Sequence, residues 1–550
     1  MIIAAIAFFS LITISAPLLG KYIAVVYKYG YAEHEILKQQ QGRWTSQSWH
    51  EYFASLMYFN SLCILSTFCI IYFQDSLPTA NDLPINISFS NALNAAVSFS
   101  TGTFWQSHNP ESELTMLSHV FALIAQNFLS GATGIAVFVA FIRGIINSRN
   151  PFIGNFYDDF LRAFLFILLP FSIITAIALI SMGMPHDFIG NINYTDLSGV
   201  AENLTLGPVA GQVAIKNLVA NGGSLFASAS AHPFEAPTRG AIMLSLFLIV
   251  VMPSAMIFTY GFLVDAQKLS WALYTIIVII MISSLLVMNL GETTYGIPFI
   301  FGDTELGDNF NYTGKEMIYD KFPSLMWVLS ITMSSDGSAN ACLENYSPLS
   351  TLVLFSNLIM SKFVIEGVGS GFFAMLSYLI VAVFLRGLIT GEAANFFGKR
   401  ITINEINYVI IVFLVMPVGV LLFTGITLLL PYSQDLITYH GSQAVTDITY
   451  NFASSFANNG SDFAGIDISS NYFNYMTALA MFLGRYPIIY FSLAISGSFA
   501  CKQRITSEVN QRTQSSIELS FFLLVTVLLV GAIMFLPLMI LGPLLEFINM

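Results

Sequence analysis

The chain of 550 residues is 55% hydrophobic and only 9% charged, with a formal net charge of −12. Its mean hydropathy of +0.72 leaves too little polar surface to cover a water-soluble core, which excludes a soluble globular protein. The acidic balance argues against a nucleic-acid partner.

A helix crosses a bilayer with about 20 mostly apolar residues. Ten stretches reach that length, at 2–20, 52–73, 117–145, 160–182, 240–264, 271–290, 349–388, 406–430, 472–498 and 519–541. The first opens Met1-Ile2-Ile3-Ala4-Ala5, without the basic leader of a secretory signal, and reads as a retained helix. The expected class is an all-α integral membrane protein with ten transmembrane helices. No soluble domain or low-complexity tract interrupts it, so 1–550 reads as one membrane domain.

Four short glycine-bearing segments lie between these spans in chain order: Ser100-Thr101-Gly102-Thr103, Ala220-Asn221-Gly222-Gly223, Ser335-Asp336-Gly337-Ser338 and Asn458-Asn459-Gly460-Ser461. Their nearly constant spacing, about 120 residues, points to one unit used four times. Runs at 91–99, 211–219, 323–332 and 445–457 precede them, too short to span but suited to half-depth re-entrant helices. The units are 51–150, 151–268, 269–402 and 403–515, with an extra helix and loop at 1–50 and an extra helix at 516–550.

Non-helical backbone at membrane depth persists only when buried in protein or lining water. Four re-entrant pore loops in a pseudo-fourfold arrangement therefore imply a hydrated central path. Carbonyl oxygens there can replace the water shell of a cation, as in a potassium filter. Glycine permits positive φ, so successive carbonyls can turn inward. The candidate ion-binding residues are Thr101, Gly102 and Thr103; Ala220, Asn221 and Gly222; Ser335, Asp336 and Gly337; and Asn458, Asn459 and Gly460. A single Asn-Gly pair would mean only an ordinary turn; four in register carry the argument.

Charge is sorted along the chain. Lys21, Lys28, Arg143, Arg149, Arg162, Lys268, Lys399, Arg400, Lys502 and Arg504 fall at connections on one side, and Glu111, Asp187, Glu292, Asp308, Asp435 and Asp447 on the other. The positive-inside rule makes the basic side cytoplasmic, with both termini extracytoplasmic. Acids on the opposite side would concentrate cations at an entrance. The four cysteines form no CxxC pair, and neither they nor the histidines show metal-ligand spacing.

The strings Asn94-Ala95-Ala96-Val97-Ser98-Phe99, Trp105-Gln106-Ser107, Gln126-Asn127-Phe128-Leu129-Ser130, Gly207-Pro208-Val209-Ala210, Ala214-Ile215-Lys216, Asn221-Gly222-Gly223, His232-Pro233-Phe234-Glu235, Gly367-Val368-Gly369-Ser370-Gly371 and Met481-Phe482-Leu483-Gly484-Arg485 run nearly end to end. Through them the chain resembles the potassium-binding A subunits of bacterial Kdp potassium-importing P-type ATPases, within the superfamily of four-loop potassium transporters. The resemblance implies potassium as the transported ion and a bacterial inner-membrane location. It also implies a catalytic B subunit and small C and F subunits as partners. The chain has no Asp-Lys-Thr-Gly or Walker-type motif, so it is expected to be a non-catalytic subunit.

It departs from that family at Gly102 and Phe104, where relatives carry amides, at Ala220 and Ser224, and at Asp336, where a small residue is usual. A carboxylate at Asp336 would strengthen cation attraction. Asp462, two residues beyond Gly460, reads as a loop anchor near the outer mouth. Lys362 and Glu392 stand where the family has the opposite charges and are candidates for a reversed ion pair; the alternative places both at the membrane boundary, each hydrated. The stretch 349–388 is too long for one straight helix, and Gly367, Gly369 and Gly371 mark a break that would make a gating loop. The rival readings are a stand-alone channel or symporter of the superfamily, and a membrane enzyme using Asp336 or Glu392.

Overall fold

The computed structural model describes residues 2–37, 45–77, 87–188, 191–195, 199, 201–294, 300–301, 304–305, 310–364, 367, 371–391, 393–431, 435–438, 441–504 and 517–541. Helix dominates throughout. In chain order the principal helices are α1 Ile2–Leu37, α2 Trp49–Tyr72, α3 Phe89–Ser100, α4 Met116–Ile146, α5 Phe156–Ser181, α6 Val209–Val219, α7 Arg239–Val264 and α8 Gln267–Thr294. There follow α9 Lys321–Met333, α10 Pro348–Val364, α11 Gly371–Thr390, α12 Ile403–Leu429, α13 Ser442–Ala457, α14 Asn471–Cys501 and α15 Ile517–Leu541. Four two-stranded antiparallel ribbons join them, the longest pairing Asn191–Thr195 with Ala201–Thr205.

Eight helices among the described residues, α1, α2, α4, α5, α7, α8, α12 and α14, are long and apolar enough to cross a membrane. The two other apolar stretches of the sequence fall on α10 with α11 and on α15. The stretch 349–388 is divided, with α10 ending at Val364 and α11 starting at Gly371.

Burial sorts these helices into two layers. Most of α4 and α7 is enclosed, whereas α1, α5, α8 and α12 turn out Ile14, Leu18, Ile173, Ile177, Leu286, Leu290, Leu414 and Val418. Apolar side chains exposed in rows on long helices are what a hydrocarbon surrounding requires. Where the helices cross, small residues let backbones approach: a β-carbon on Gly20 would come within 2.6 Å of Ala255 O, joining α1 to α7.

Each short helix packs between the two helices that flank it: α3 with α2 and α4, α6 with α5 and α7, α9 with α8 and α10, and α13 with α12 and α14. The outgoing helix of each unit also touches the short helix of the next, α4 on α6, α7 on α9 and α10 on α13. The last then meets the first, α14 on α3, so the contacts form a closed cycle.

Two of the cations that the sequence places at connections on one side act as clamps between helices. Arg143 of α4 donates two parallel hydrogen bonds of 2.6 Å to Asp159 of α5, which also accepts from Tyr52 Oη at 3.1 Å. Lys399 is fully buried, its Nζ donating to Gly144 O at 2.9 Å, Phe499 O at 2.8 Å and Asn147 O. It thus satisfies carbonyls at the C-termini of α4 and α14, where a cation complements the helix dipole. Acids on the other side are enclosed likewise. Glu292 is buried against Lys315 at 3.0 Å, and Asp447 is enclosed within α13. Burial lowers the Lys315 pKa while the Glu292 carboxylate opposes it.

Candidate functional site

The four short helices end in the four glycine-bearing segments, so each delivers its C-terminal end to the loop that follows. Three of them stop in the same way. In the second unit Ala220 takes φ +50°, with Ala220 N donating to Asn217 O and Asn221 N to Lys216 O. In the fourth, Asn458 takes φ +53°, with Asn458 N on Ser455 O and Asn459 N on Ser454 O. In the first, Gly102 takes φ +74°, with Gly102 N on Phe99 O and Thr103 N on Ser98 O. This paired bonding, closed by one left-handed residue, is the Schellman stop. The third helix ends differently, with Ser334 extended at φ −104° and ψ 179°.

These bonds reset the register of the first loop. The recurrence of glycine pairs Gly102 with Gly222 and Gly460, but the turn geometry pairs Gly102 with Ala220 and Asn458. The counterpart of Gly222 and Gly460 is then Phe104, held at φ +55° with its ring stacked on Phe99 at 5.3 Å. Residue type misleads here because glycine serves two purposes: it ends a helix at Gly102 and allows close approach elsewhere.

That approach joins the loops. A β-carbon on Gly222 would come within 2.9 Å of Gly337 N, and one on Gly337 within 2.5 Å of Asn459 O and 2.7 Å of Gly460 Cα. One on Gly460 would collide with Thr103 O, and one on Gly223 would come within 3.0 Å of the Phe104 ring. Second meets third, third meets fourth, fourth meets first and first meets second. Neither Gly222 nor Gly337 has a positive φ; glycine is needed there because neighbouring backbone occupies the place of a side chain.

Side chains stitch most of these seams from behind. Asn459 Nδ2 donates to Ile331 O at 2.6 Å and Ser334 O at 2.9 Å, tying the fourth loop to the third. Asn458 Nδ2 donates to Thr103 Oγ1 at 2.9 Å, tying the fourth to the first. Gln106 of the first loop clasps Ser224 of the second, accepting from its N–H at 2.9 Å and donating to its carbonyl at 3.0 Å. Asn221 Nδ2 donates to Ser130 Oγ of α4 at 3.1 Å. Thr101 Oγ1 and Thr103 Oγ1 pair at 2.9 Å. Ser335 lies on the opposite side from these bonds, against the chain between α10 and α11, where a β-carbon on Gly367 would come within 2.8 Å of Ala220 O and 3.3 Å of Ser335 Cβ.

Behind the second loop lies an ion pair that the sequence did not disclose. Lys216 Nζ stands 2.5 Å from Glu235 Oε2 and 3.3 Å from Ser230 Oγ, and Glu235 Oε1 accepts from Ser224 Oγ at 2.6 Å. Both side chains are essentially without solvent contact. The segment from His232 to Glu235, one of the strings that carry the family resemblance, thus holds one half of a buried pair. His232 stacks on Phe226 at 3.7 Å, and burial lowers its pKa against the opposing fields of Glu111 and Glu235. The fourth loop is pinned by another residue the sequence left unremarked: Glu344 Oε1 accepts from Gly465 N at 2.6 Å, while the expected anchor, Asp462, is exposed.

Lys362 belongs to α10, and Glu392 lies outside the described residues, so their pairing is not defined. No cluster of three or more His, Cys, Asp or Glu side chains fit to hold a metal occurs among the described residues.

Comparison with known proteins bears on this ring. A family model described as potassium-transporting ATPase A subunit matches residues 6–548. A potassium-transporting ATPase potassium-binding subunit of Francisella tularensis subsp. novicida is 34% identical over 507 residues, 91% of this chain and 88% of that one. One of the same name from Leptospira interrogans is 35% identical, over 91% of this chain and 89% of its own. Another from Pseudomonas fluorescens is 34% identical, over 99% of this chain and 98% of its own. Among solved structures, the potassium transporter TrkH from Vibrio parahaemolyticus superposes with a TM-score of 0.50 at 15% identity, over 89% of this chain and 98% of that one. At that identity the likeness is one of fold. The family match takes in all four glycine-bearing segments and the helices that present them, and the chain belongs to the potassium-transporting ATPase A subunit family.

Proposed function

We propose that this chain is the potassium-binding and translocating subunit of an ATP-driven import complex. Potassium enters from the extracytoplasmic side, sheds its water at a filter of backbone carbonyls supplied by the four loops, and passes to a P-type ATPase subunit. The observation that carries this reading is the cyclic approach of Phe104, Gly222, Gly337 and Gly460 with their neighbours. Four quasi-equivalent segments closing on one another give a ring of main-chain oxygens, and such a ring can replace the hydration shell of a bare alkali ion. Its field has the right sign. Each short helix brings its C-terminal end, worth roughly half a negative charge, to the ring, and four such ends favour a cation over an anion.

On this reading the described helices cross the membrane ten times, with the four short ones re-entrant around a pseudo-fourfold axis and both termini extracytoplasmic. The units are those given by the repeat, 51–150, 151–268, 269–402 and 403–515. The filter residues are Thr101 to Thr103, Ala220 to Gly222, Ser335 to Gly337 and Asn458 to Gly460, with Phe104 added by the turn geometry. The segment around Gly367, against the carbonyl of Ala220, acts as a gate below the filter. Lys362 and Glu392 form a reversed ion pair beneath it, a point tested by reversing both charges together and singly. The relatives' shared name, potassium-transporting ATPase potassium-binding subunit, supports potassium as the bound ion and an ATPase complex as the setting; the bacterial inner membrane and the catalytic B and small C and F subunits are what the resemblance of the sequence implies.

The fold likeness to a potassium transporter favours one alternative, a stand-alone channel or symporter. One experiment separates the two. The purified complex with its pump subunit is predicted to hydrolyse ATP in response to potassium, and the chain alone in liposomes to pass no steady potassium current. Current from the chain alone, with no potassium-stimulated hydrolysis in the complex, would overturn the proposal.

A further inference from the structure

The third and fourth loops share one three-residue turn. In the fourth, Asn459 Oδ1 accepts from Ser461 N at 3.1 Å and from Ser461 Oγ at 2.5 Å. In the third, Asp336 Oδ1 accepts from Ser338 N at 2.9 Å and from Ser338 Oγ at 2.5 Å. Both side chains are fully buried, and each immediately precedes the glycine at which two loops approach. A side-chain oxygen accepting from the backbone two residues on is the Asx turn, which holds its own loop without help from any ligand.

The other side-chain atom is where the two differ. Asn459 Nδ2 donates to Ile331 O and Ser334 O of the neighbouring unit. Asp336 Oδ2 is an acceptor, and it is buried without a hydrogen-bond partner. The charges acting on Asp336 are those of Lys216, attractive, and Glu235, repulsive, both behind the second loop. The carboxyl thus stands in the field of the ion pair that lies behind the second loop.

We propose that Asp336 is a positioning residue: its carboxyl holds the turn from Asp336 to Ser338 as the Asn459 amide holds the fourth loop, and it does not ligate the transported ion. This rests on the filter reading and refines it, because it assigns the carboxylate that most distinguishes this chain's loops to loop geometry rather than to cation capture. An amide at position 336 keeps the Oδ1 acceptor and supplies a donor where Oδ2 now has no partner. Asparagine is therefore the tolerated replacement, whereas a side chain without an acceptor frees the turn.

The test is potassium uptake by the full chain assembled with its partner subunits, with half-saturation and maximal rate measured separately and with sodium as competitor. Asp336→Asn, which keeps the Oδ1 acceptor, is expected to raise half-saturation at least about threefold less than Asp336→Ala does. Asp336→Ala, at equal membrane abundance, is expected to raise half-saturation more than about tenfold, and adding Ser338→Ala to it to change nothing further, because the one bond that the second change could remove, Ser338 Oγ to Asp336 Oδ1, is already gone. Asp336→Asn as impaired as Asp336→Ala, with Ser338→Ala alone silent, is the behaviour of an ion-ligating carboxylate and overturns the inference. A parent complex with no saturable potassium dependence overturns the filter reading itself, and this inference with it.

Discussion

Lys216 and Glu235 give the sharpest energetic prediction, because the two sides of the pair are unequally supported. With Lys216→Met, the Glu235 carboxylate keeps two hydroxyl donors, Ser224 Oγ at 2.6 Å and Ser230 Oγ at 3.2 Å. With Glu235→Gln, the Lys216 ammonium keeps Ser230 Oγ at 3.3 Å and exchanges a carboxylate for a neutral carbonyl. Breaking a buried pair from one side costs about 3–5 kcal/mol, because a charge is stranded in low dielectric. Charge-assisted hydrogen bonds to the survivor offset part of that. Lys216→Met is therefore expected at the lower end, about 3 kcal/mol, and Glu235→Gln at the upper, about 5 kcal/mol. The double variant Lys216→Met with Glu235→Gln strands no charge, so its cost is expected to be about 2 kcal/mol, less than either single change. Equilibrium unfolding in mixed micelles measures all three, and potassium half-saturation reports on the second loop through Ser224. If the costs of the single variants add in the double, the two residues do not act as a coupled pair, and the electrostatic account of the second loop falls.

Other consequences follow from the ring and its clamps. Gly337→Ala is expected to be far more damaging than Gly102→Ala. The first drives a β-carbon into Asn459 and Gly460 backbone at 2.5–2.7 Å, whereas around Gly102 the nearest atoms are 3.6 Å away and only φ +74° resists. Potassium half-saturation should rise more than about tenfold in the former, with a stability loss of about 1–2 kcal/mol and near-parental affinity in the latter. Ala220→Gly removes the cost of holding alanine at φ +50° and should stabilise the protein by about 1 kcal/mol in thermal unfolding; no gain would mean that the turn is not strained. Lys399→Met removes the ammonium from Gly144 O, Asn147 O and Phe499 O at the ends of α4 and α14, of which Phe499 O keeps Lys502 N–H, and should cost about 3 kcal/mol in the same measurement. Arg143→Lys exchanges a two-bond clasp of Asp159 for a single contact, and is expected to lose about 1–2 kcal/mol; parental stability would argue that the second bond carries nothing.

What the sequence made legible and what it withheld divide along the range of the interactions. Hydropathy is a local property, so the apolar stretches, the short helices before each glycine-bearing segment and the break between α10 and α11 could be read directly from residue order. The cyclic contact of the four units is a tertiary fact, yet its trace was readable, because backbone meeting backbone forbids a β-carbon at Gly222 and Gly337 and so leaves glycine at regular spacing. The same reasoning misled in the first loop. Gly102 is glycine for the sake of a left-handed helix stop, and the place equivalent to Gly222 is occupied by Phe104. One letter stands for two physical demands, and only the hydrogen bonds separate them.

The buried charges were withheld for a different reason. Arg143, Lys399, Glu292 and Asp447 were placed by the charge of the connections they belong to, a quantity blind to whether a side chain points into water or into a neighbouring helix. One signal was present and unused. Lys216 stands in the run Val213-Ala214-Ile215-Lys216-Asn217-Leu218-Val219, and a cation in an apolar segment at membrane depth requires a partner or a wet cavity. Glu235, in a segment bounded by Pro233 and Pro237, was the acid within reach in the same unit. Had every intramembrane charge been required to find its counter-charge, this pair would have been found before any coordinates. The requirement bears directly on the ring, because the positive charge that Lys216 places behind the second loop is met at contact distance by Glu235 at 2.5 Å. Without that acid, an uncompensated ammonium would stand behind a ring of carbonyls and repel the cation those carbonyls are arranged to hold.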